Sequence, residues 1–115
     1  MLGTPEQWRT AIREVVGYAA DEKFQREHWA GTEKYLVTPA EIYNILDDWE
    51  FDKCLADAEV GLNERQCAAG QDLAKKLAAF DKPVDSLTDA EVVDHPLWIE
   101  VRKAAGRFLD ALKVD

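Results

Sequence analysis

Apolar residues recur at intervals of three and four positions along most of the chain, which is the period of an α-helix with one buried face. The alternation of apolar and polar residues that is typical of strands is nearly absent. The pattern therefore predicts an all-α protein of about five or six helices. The clearest apolar stripes are Trp8, Ala11, Ile12, Val15, Val16 and Ala19; Leu73, Leu77 and Phe80; and Trp98, Val101, Ala105, Phe108, Leu109 and Leu112.

Short polar motifs predict where the helices begin. The segments "TPEQ" at 4–7 and "TPAE" at 38–41 place Thr before Pro, with Gln or Glu three residues after the Thr. A threonine side chain can cap free backbone amide groups, and Pro loses no hydrogen bond in the first helical position. "NERQ" at 63–66 and "TDAE" at 88–91 have the same capping-box spacing, and the His-Pro pair at 95–96 predicts the start of a last helix.

The segment 42–58 contains two apolar stripes that do not share one helical face. Ile42, Ile45, Leu46 and Trp49 have the spacing i, i+3, i+4, i+7, and Phe51, Cys54, Leu55 and Ala58 repeat it nine positions later. At 100° per residue the second stripe is half a turn out of phase with the first. We therefore predict a break near Glu50, between a helix from Pro39 to about Trp49 and a helix from about Phe51 to Val60 that Gly61 ends.

Length and composition predict one domain over residues 1–115. The chain has 115 residues, with 47% hydrophobic and 32% charged residues, which is typical of a globular domain with its own core. No Gly/Ser-rich linker, secretory signal or membrane-spanning apolar run is visible. We therefore expect a cytoplasmic protein without a cofactor, in which Cys54 and Cys67 are reduced and buried.

The net charge of −9 is concentrated in one short stretch. Residues 41–61 carry seven acidic side chains against Lys53 alone, which amounts to −6. An excess of negative charge disfavours binding to nucleic acid and to an anionic membrane surface, because phosphate groups would be repelled. The partner that this charge favours is a basic protein.

The acidic stretch predicts a protein-binding surface. Asp47 and Asp48 lie in the last turn of the first predicted helix, where the helix dipole disfavours anions, and a basic partner would explain their position. The surface that we predict from the sequence consists of Asp47, Asp48, Glu50, Asp52, Asp57 and Glu59, with Trp49 or Tyr43 as an aromatic anchor. Among the four tryptophans, Trp29 is the best candidate for an additional exposed contact residue, because it lies near a predicted loop.

A calcium-responsive or metal-using domain centred on residues 48–59 is an alternative. Asp48, Glu50, Asp52 and Glu59 fall at positions one, three, five and twelve of an EF-hand register. Position six is Lys53, where the tight turn needs Gly, and Gly61 interrupts the exiting helix. A small enzyme is a further alternative, although no nucleophile elbow, phosphate loop or paired zinc-ligand spacing is present, and we expect no catalytic activity.

Three short motifs resemble those of a group of small uncharacterised bacterial all-α proteins. They are the hydrophobic-Asp-Asp segment at 46–48, the Val-Gly turn at 60–61 and the closing His-Pro-Leu-Trp helix start at 95–98. The resemblance covers the chain from about Trp29 to the C-terminus and implies a bacterial protein, without implying an activity. In size and acidity the chain is also similar to immunity proteins that neutralise a partner toxin. The leading prediction is an immunity-type inhibitor that covers the basic active-site cleft of a toxin such as a nuclease.

Overall fold

Helices are the regular elements of the part of the chain that the structure describes, residues 3–30, 37–84 and 86–113, with the side chains of 82–84 left out. The structure is a computed structural model. Seven helices lie within those ranges, five of them of seven residues or more, and no strand does, which confirms the predicted all-α class. They are α1 Pro5–Ala20, α2 Glu22–His28, α3 Pro39–Asp48, α4 Phe51–Cys54, α5 Glu64–Val84, α6 Asp89–Val93 and α7 Pro96–Lys113.

The predicted capping motifs begin the helices as expected. At the start of α1 the Thr4 hydroxyl accepts from the Gln7 amide and the Gln7 side chain accepts from the Thr4 amide, at 3.1 and 2.9 Å. The same reciprocal pair joins Asn63 to Gln66 and Thr88 to Glu91. These bonds satisfy amide groups that have no partner within the helix.

The predicted break near Glu50 is confirmed. α3 ends at Asp48, and Glu50 adopts a left-handed conformation with φ of 52°, which a residue with a Cβ enters at a cost of about 1 kcal/mol. The carbonyl of Trp49 accepts a 2.9 Å hydrogen bond from Trp8 Nε1, which ties the break to α1. The two stripes therefore reach the same core through their buried members, Ile42 and Leu46 before the break and Phe51, Cys54 and Leu55 after it, whereas Ala58 is exposed.

The predicted helix from Phe51 to Val60 is too long. α4 ends at Cys54, and single turns follow, in which the amide of Asp57 donates to the carbonyl of Cys54 and the amide of Val60 to that of Asp57. The Asp57 carboxylate also accepts from the Glu59 amide at 2.9 Å, a local bond that competes with helical geometry. Gly61, with φ of 74°, ends this segment as predicted.

The core is organised around the long pair α5 and α7. α1 also packs on α7, and α3 packs on α1. Trp8, Trp98, Phe80 and Phe108 are the largest of the fully buried side chains. Burial of an aromatic side chain of this size contributes about 2 to 3 kcal/mol, so these residues dominate the energetics of the core. Among the described helices, none is both long and apolar enough to cross a membrane.

Trp29 is buried, so the prediction of an exposed contact residue is wrong. Only 5% of its surface is accessible, its Nε1 donates to the carbonyl of Val37 at 2.8 Å, and its ring lies 5.6 Å from that of Trp98. Gln25, four residues earlier in α2, is fully buried as well, so both residues lie on the side of this segment that faces the core. A residue at the end of a short helix is thus part of the core.

Candidate functional site

The six carboxylates of the predicted surface all reach solvent. Asp47 and Asp48 end α3, Asp52 lies in the first turn of α4, and Asp57 and Glu59 lie in the turns that follow. These five are exposed, and Glu50 is half-buried at the break. The chain reversal between α3 and α5 therefore presents the acidic stretch outward rather than burying part of it.

Lys53, the one basic residue of this stretch, forms an ion pair with Glu50. Its Nζ lies 3.3 Å from Glu50 Oε2, and the Lys53 side chain is 83% exposed. An exposed pair of this kind contributes about 0 to 1 kcal/mol, so a competing cation can displace the lysine at little cost.

A groove of about 760 Å³ lies between α3, α4 and α5. Its lining includes Asp47, Glu50 and Asp52 from the predicted surface, together with Asp81 from α5. Exposed Ala40 and Ala78 and half-buried Ala74 contribute apolar surface to the same lining, and the buried Leu46 and Leu77 lie beneath it. We call this feature the acidic groove; it can accept a ligand that is both apolar and cationic.

Asp81 is the groove carboxylate that the sequence pattern did not indicate. It follows the acidic stretch by more than twenty residues and lies on another helix, so local charge density does not point to it. The signal that could have identified it is the helical spacing of residues 74, 77, 78 and 81, which places Asp81 on one face with Leu77. Conversely, Asp48, Asp57 and Glu59 do not line the groove.

Tyr43 lines the acidic groove, where it also joins two helices. Its hydroxyl donates a 2.6 Å hydrogen bond to the carbonyl of Leu77, and the residue is half-buried. Burial, and to a smaller degree the charge of Asp81, raises the pKa of Tyr43 above its ordinary value. The ring is therefore a fixed, neutral part of the groove wall.

Trp49 lies outside the acidic groove. The residue is half-buried and lines a second hollow, of about 450 Å³, together with Val15, Tyr18 and Ile45 of α1 and α3. The two aromatic anchors predicted from the sequence therefore belong to different surfaces. Of the two, Tyr43 is the one that accompanies the groove carboxylates.

The described residues offer no ready metal site, and the environment of Cys54 disfavours a nucleophilic thiolate. No group of three or more His, Cys, Asp or Glu side chains within the described ranges is arranged to hold a metal ion, and residues 48–59 all lie inside those ranges. Cys54 is buried, and burial raises the pKa of its thiol, which disfavours the reactive thiolate. The Sγ of Cys67, which is half-buried, lies 2.9 Å from the carbonyl of Leu55.

In a comparison with protein families, a family model matches residues 5–114 of the chain. The chain belongs to the family described as Domain of unknown function (DUF7945). Since the match spans the first and the last helix, the whole helical unit is the family's domain. No curated protein and no solved structure matches the chain.

Proposed function

We propose that this member of the DUF7945 family is an acidic protein-binding module whose partner is a basic protein. More specifically, it acts as an immunity-type inhibitor that covers the basic cleft of a toxin such as a nuclease. The observation that carries the proposal is the concentration of solvent-reaching carboxylates between Asp47 and Glu59, a stretch in which Lys53 is the one basic residue.

The physical support is electrostatic and geometric. Carboxylates gathered on one surface raise the local concentration of a basic partner and speed its association, and the effect weakens as salt screens the charges. The adjoining acidic groove adds apolar surface from the exposed Ala40 and Ala78, which a purely solubilising surface would not need. Tyr43 gives that groove a rigid aromatic wall.

The test begins with a partner captured from a native host, which is then purified and titrated against the protein by calorimetry. We expect one-to-one binding whose affinity falls as salt rises from about 50 to about 300 mM, because the Debye length shortens. Asp48→Lys with Asp52→Lys is expected to lower the affinity about tenfold or more.

A matched control keeps the test specific to this surface. Asp89→Lys with Asp110→Lys makes the same change of net charge at exposed positions of α6 and α7 and is expected to alter the affinity less than about threefold. If the Asp48 and Asp52 reversal left both the affinity and its salt dependence unchanged, the acidic stretch would not be the binding surface.

A further inference from the structure

We propose that the acidic groove is the docking site for a cationic, amphipathic α-helix of the partner, with basic side chains about two helical turns apart. This inference rests on the proposed function, since it assigns the place and the chemistry of the same interaction. It follows from the arrangement of the two helices that border the groove.

On α3, the residues that line the groove form one face. Ala40, Tyr43, Asn44 and Asp47 have the spacing i, i+3, i+4, i+7, which places them along about two turns of one side of the helix. The face is small at its first residue, aromatic in the middle and acidic at its end. The apolar residues and the charged residue therefore lie at different positions along the helix axis.

On α5, the lining residues repeat that spacing. Ala74, Leu77, Ala78 and Asp81 again cover about two turns, with alanine first and an aspartate last. Ala78 is exposed and Leu77 is buried, so the face slopes from solvent towards the floor of the groove. The two walls therefore carry similar chemistry in similar order.

The segment α3–α4 runs antiparallel to α5. Tyr43 bonds to the carbonyl of Leu77, whereas Leu55, twelve residues later, lies against Gly70, and its carbonyl is 2.9 Å from the Sγ of Cys67. Residues later in the segment α3–α4 therefore contact residues earlier in α5. The two aspartates that end the faces consequently lie at opposite ends of the groove.

This arrangement defines the occupant. Asp47, with Glu50 and Asp52 beside it, marks one end of the groove, and Asp81 marks the other. Each of these two aspartates lies four residues beyond the Tyr43–Leu77 contact, in opposite directions, so at 1.5 Å per residue they are about 12 Å apart along the groove. An α-helix with Lys or Arg seven residues apart presents two cations at about that separation, on the same face as its apolar residues. Charged pairs at both ends and apolar contact between them match what the groove offers.

The groove also has the surroundings that a docked helix needs. α3 packs on α1 and α5 packs on α7, so both walls are supported from behind. The alanines at positions 40, 74 and 78 leave space for a third backbone to approach at the usual helix separation of about 8 to 10 Å.

The test uses a fluorescently labelled synthetic helix of about 18 residues, built from Leu, Ala and Lys with two Arg residues seven positions apart. Its binding is followed by anisotropy at about 50 mM salt. We expect saturable one-to-one binding and a loss of affinity of about tenfold or more in Asp47→Lys with Asp81→Lys. Asp48→Lys with Glu59→Lys, which makes the same charge change outside the groove, is expected to weaken binding less than about threefold.

A second pair of variants tests the groove without changing charge. Ala78→Gln places a longer side chain in the groove, whereas Ala79→Gln places the same side chain at an exposed neighbouring position of α5 that does not line it. We expect the first to weaken peptide binding about fivefold or more and the second to leave it unchanged. Circular dichroism of both variants confirms that the helices are intact. Absence of saturable binding of the wild-type protein at about 1 mM peptide overturns the proposal.

The outcomes separate this inference from the proposed function when the charge variants are titrated against the purified partner. One outcome is that Asp48→Lys with Glu59→Lys weakens partner binding and Asp47→Lys with Asp81→Lys does not. The protein-binding function then stands, and docking in the groove is wrong. If both double variants lose the same affinity, the partner is attracted by the net charge of the protein and does not dock in the groove. If neither pair alters the affinity or its salt dependence, both proposals fail.

Discussion

The hydroxyl of Tyr43 and the backbone carbonyl of Leu77 are joined by a 2.6 Å hydrogen bond across the acidic groove, 34 residues apart in the chain. This bond links α3 to α5, two helices that each pack mainly on a different neighbour. It fixes the separation of the groove walls at the point where the aromatic ring meets Leu77. The geometry of the proposed site thus depends on one phenolic group.

Replacing Tyr43 by Phe is expected to lower the free energy of unfolding at pH 7 by about 1 kcal/mol, the net value of a hydrogen bond of this kind. The loss is measured by urea denaturation followed by circular dichroism. Because the aromatic ring remains, the helix content should not change.

The same variant tests the pH dependence that follows from the raised pKa. A group whose pKa is higher in the folded state contributes its full stability below the unfolded value, about 10 for tyrosine, and loses it as the pH rises through the folded value. Wild-type protein should therefore lose more stability between pH 9 and about pH 11 than Tyr43→Phe. Identical losses in the two proteins would show that Tyr43 ionises normally.

Gly70→Ala is expected to destabilise the protein, although alanine favours helices. A Cβ at position 70 would lie 2.5 Å from Leu55 Cδ2 and 3.1 Å from Phe108 Cε1, and both of these side chains are buried. Overpacking of this kind costs about 1 to 3 kcal/mol, which exceeds the gain in helix propensity of about 1 kcal/mol.

Gly106→Ala in α7 is the matched control, because nothing lies within 4 Å of its added Cβ. It is expected to raise the melting temperature by an amount that corresponds to about 0.5 to 1 kcal/mol. A lower melting temperature for Gly70→Ala and a higher one for Gly106→Ala would support the close contact of Leu55 and Phe108 with Gly70 of α5. A stabilised Gly70→Ala protein would contradict it.

Gln25→Met is expected to be strongly destabilising, at about 3 kcal/mol. The fully buried Gln25 amide donates to the carbonyls of Tyr18 and Ala19 at 2.9 and 2.8 Å. Its oxygen accepts from Trp98 Nε1 at 3.1 Å and from the Arg102 guanidinium at 2.7 Å. Methionine preserves the volume and leaves these groups without that partner.

The measurement for this variant is thermal unfolding, with Gln71→Met as the control at an exposed position of α5. The control is expected to change stability by less than about 0.5 kcal/mol. A Gln25→Met protein as stable as the control would show that the buried hydrogen bonds are replaceable by apolar packing.

Calcium at about 5 mM is expected to leave tryptophan fluorescence and the melting temperature unchanged. The residues that would form the middle of a calcium loop, Phe51 to Cys54, are helical, and Lys53 points its charge at Glu50 from 3.3 Å. The same concentration of magnesium controls for ionic strength. A saturable change with calcium alone would favour the metal-responsive alternative that the carboxylate spacing of residues 48–59 suggests.

The sequence by itself determined the features that depend on neighbouring residues. Caps such as Thr4 and Asn63 act on amide groups three residues away, so the helix starts followed from the sequence. The break at Glu50 followed in the same way, because a phase shift between adjacent apolar stripes requires it. The all-α class is the sum of such local preferences.

Tertiary structure decided the features that depend on distant partners. Trp29 is buried because Trp98, almost seventy residues later, packs against it. Asp81 joins the acidic groove because α5 passes beside α3, and helix spacing alone does not specify which helices become neighbours.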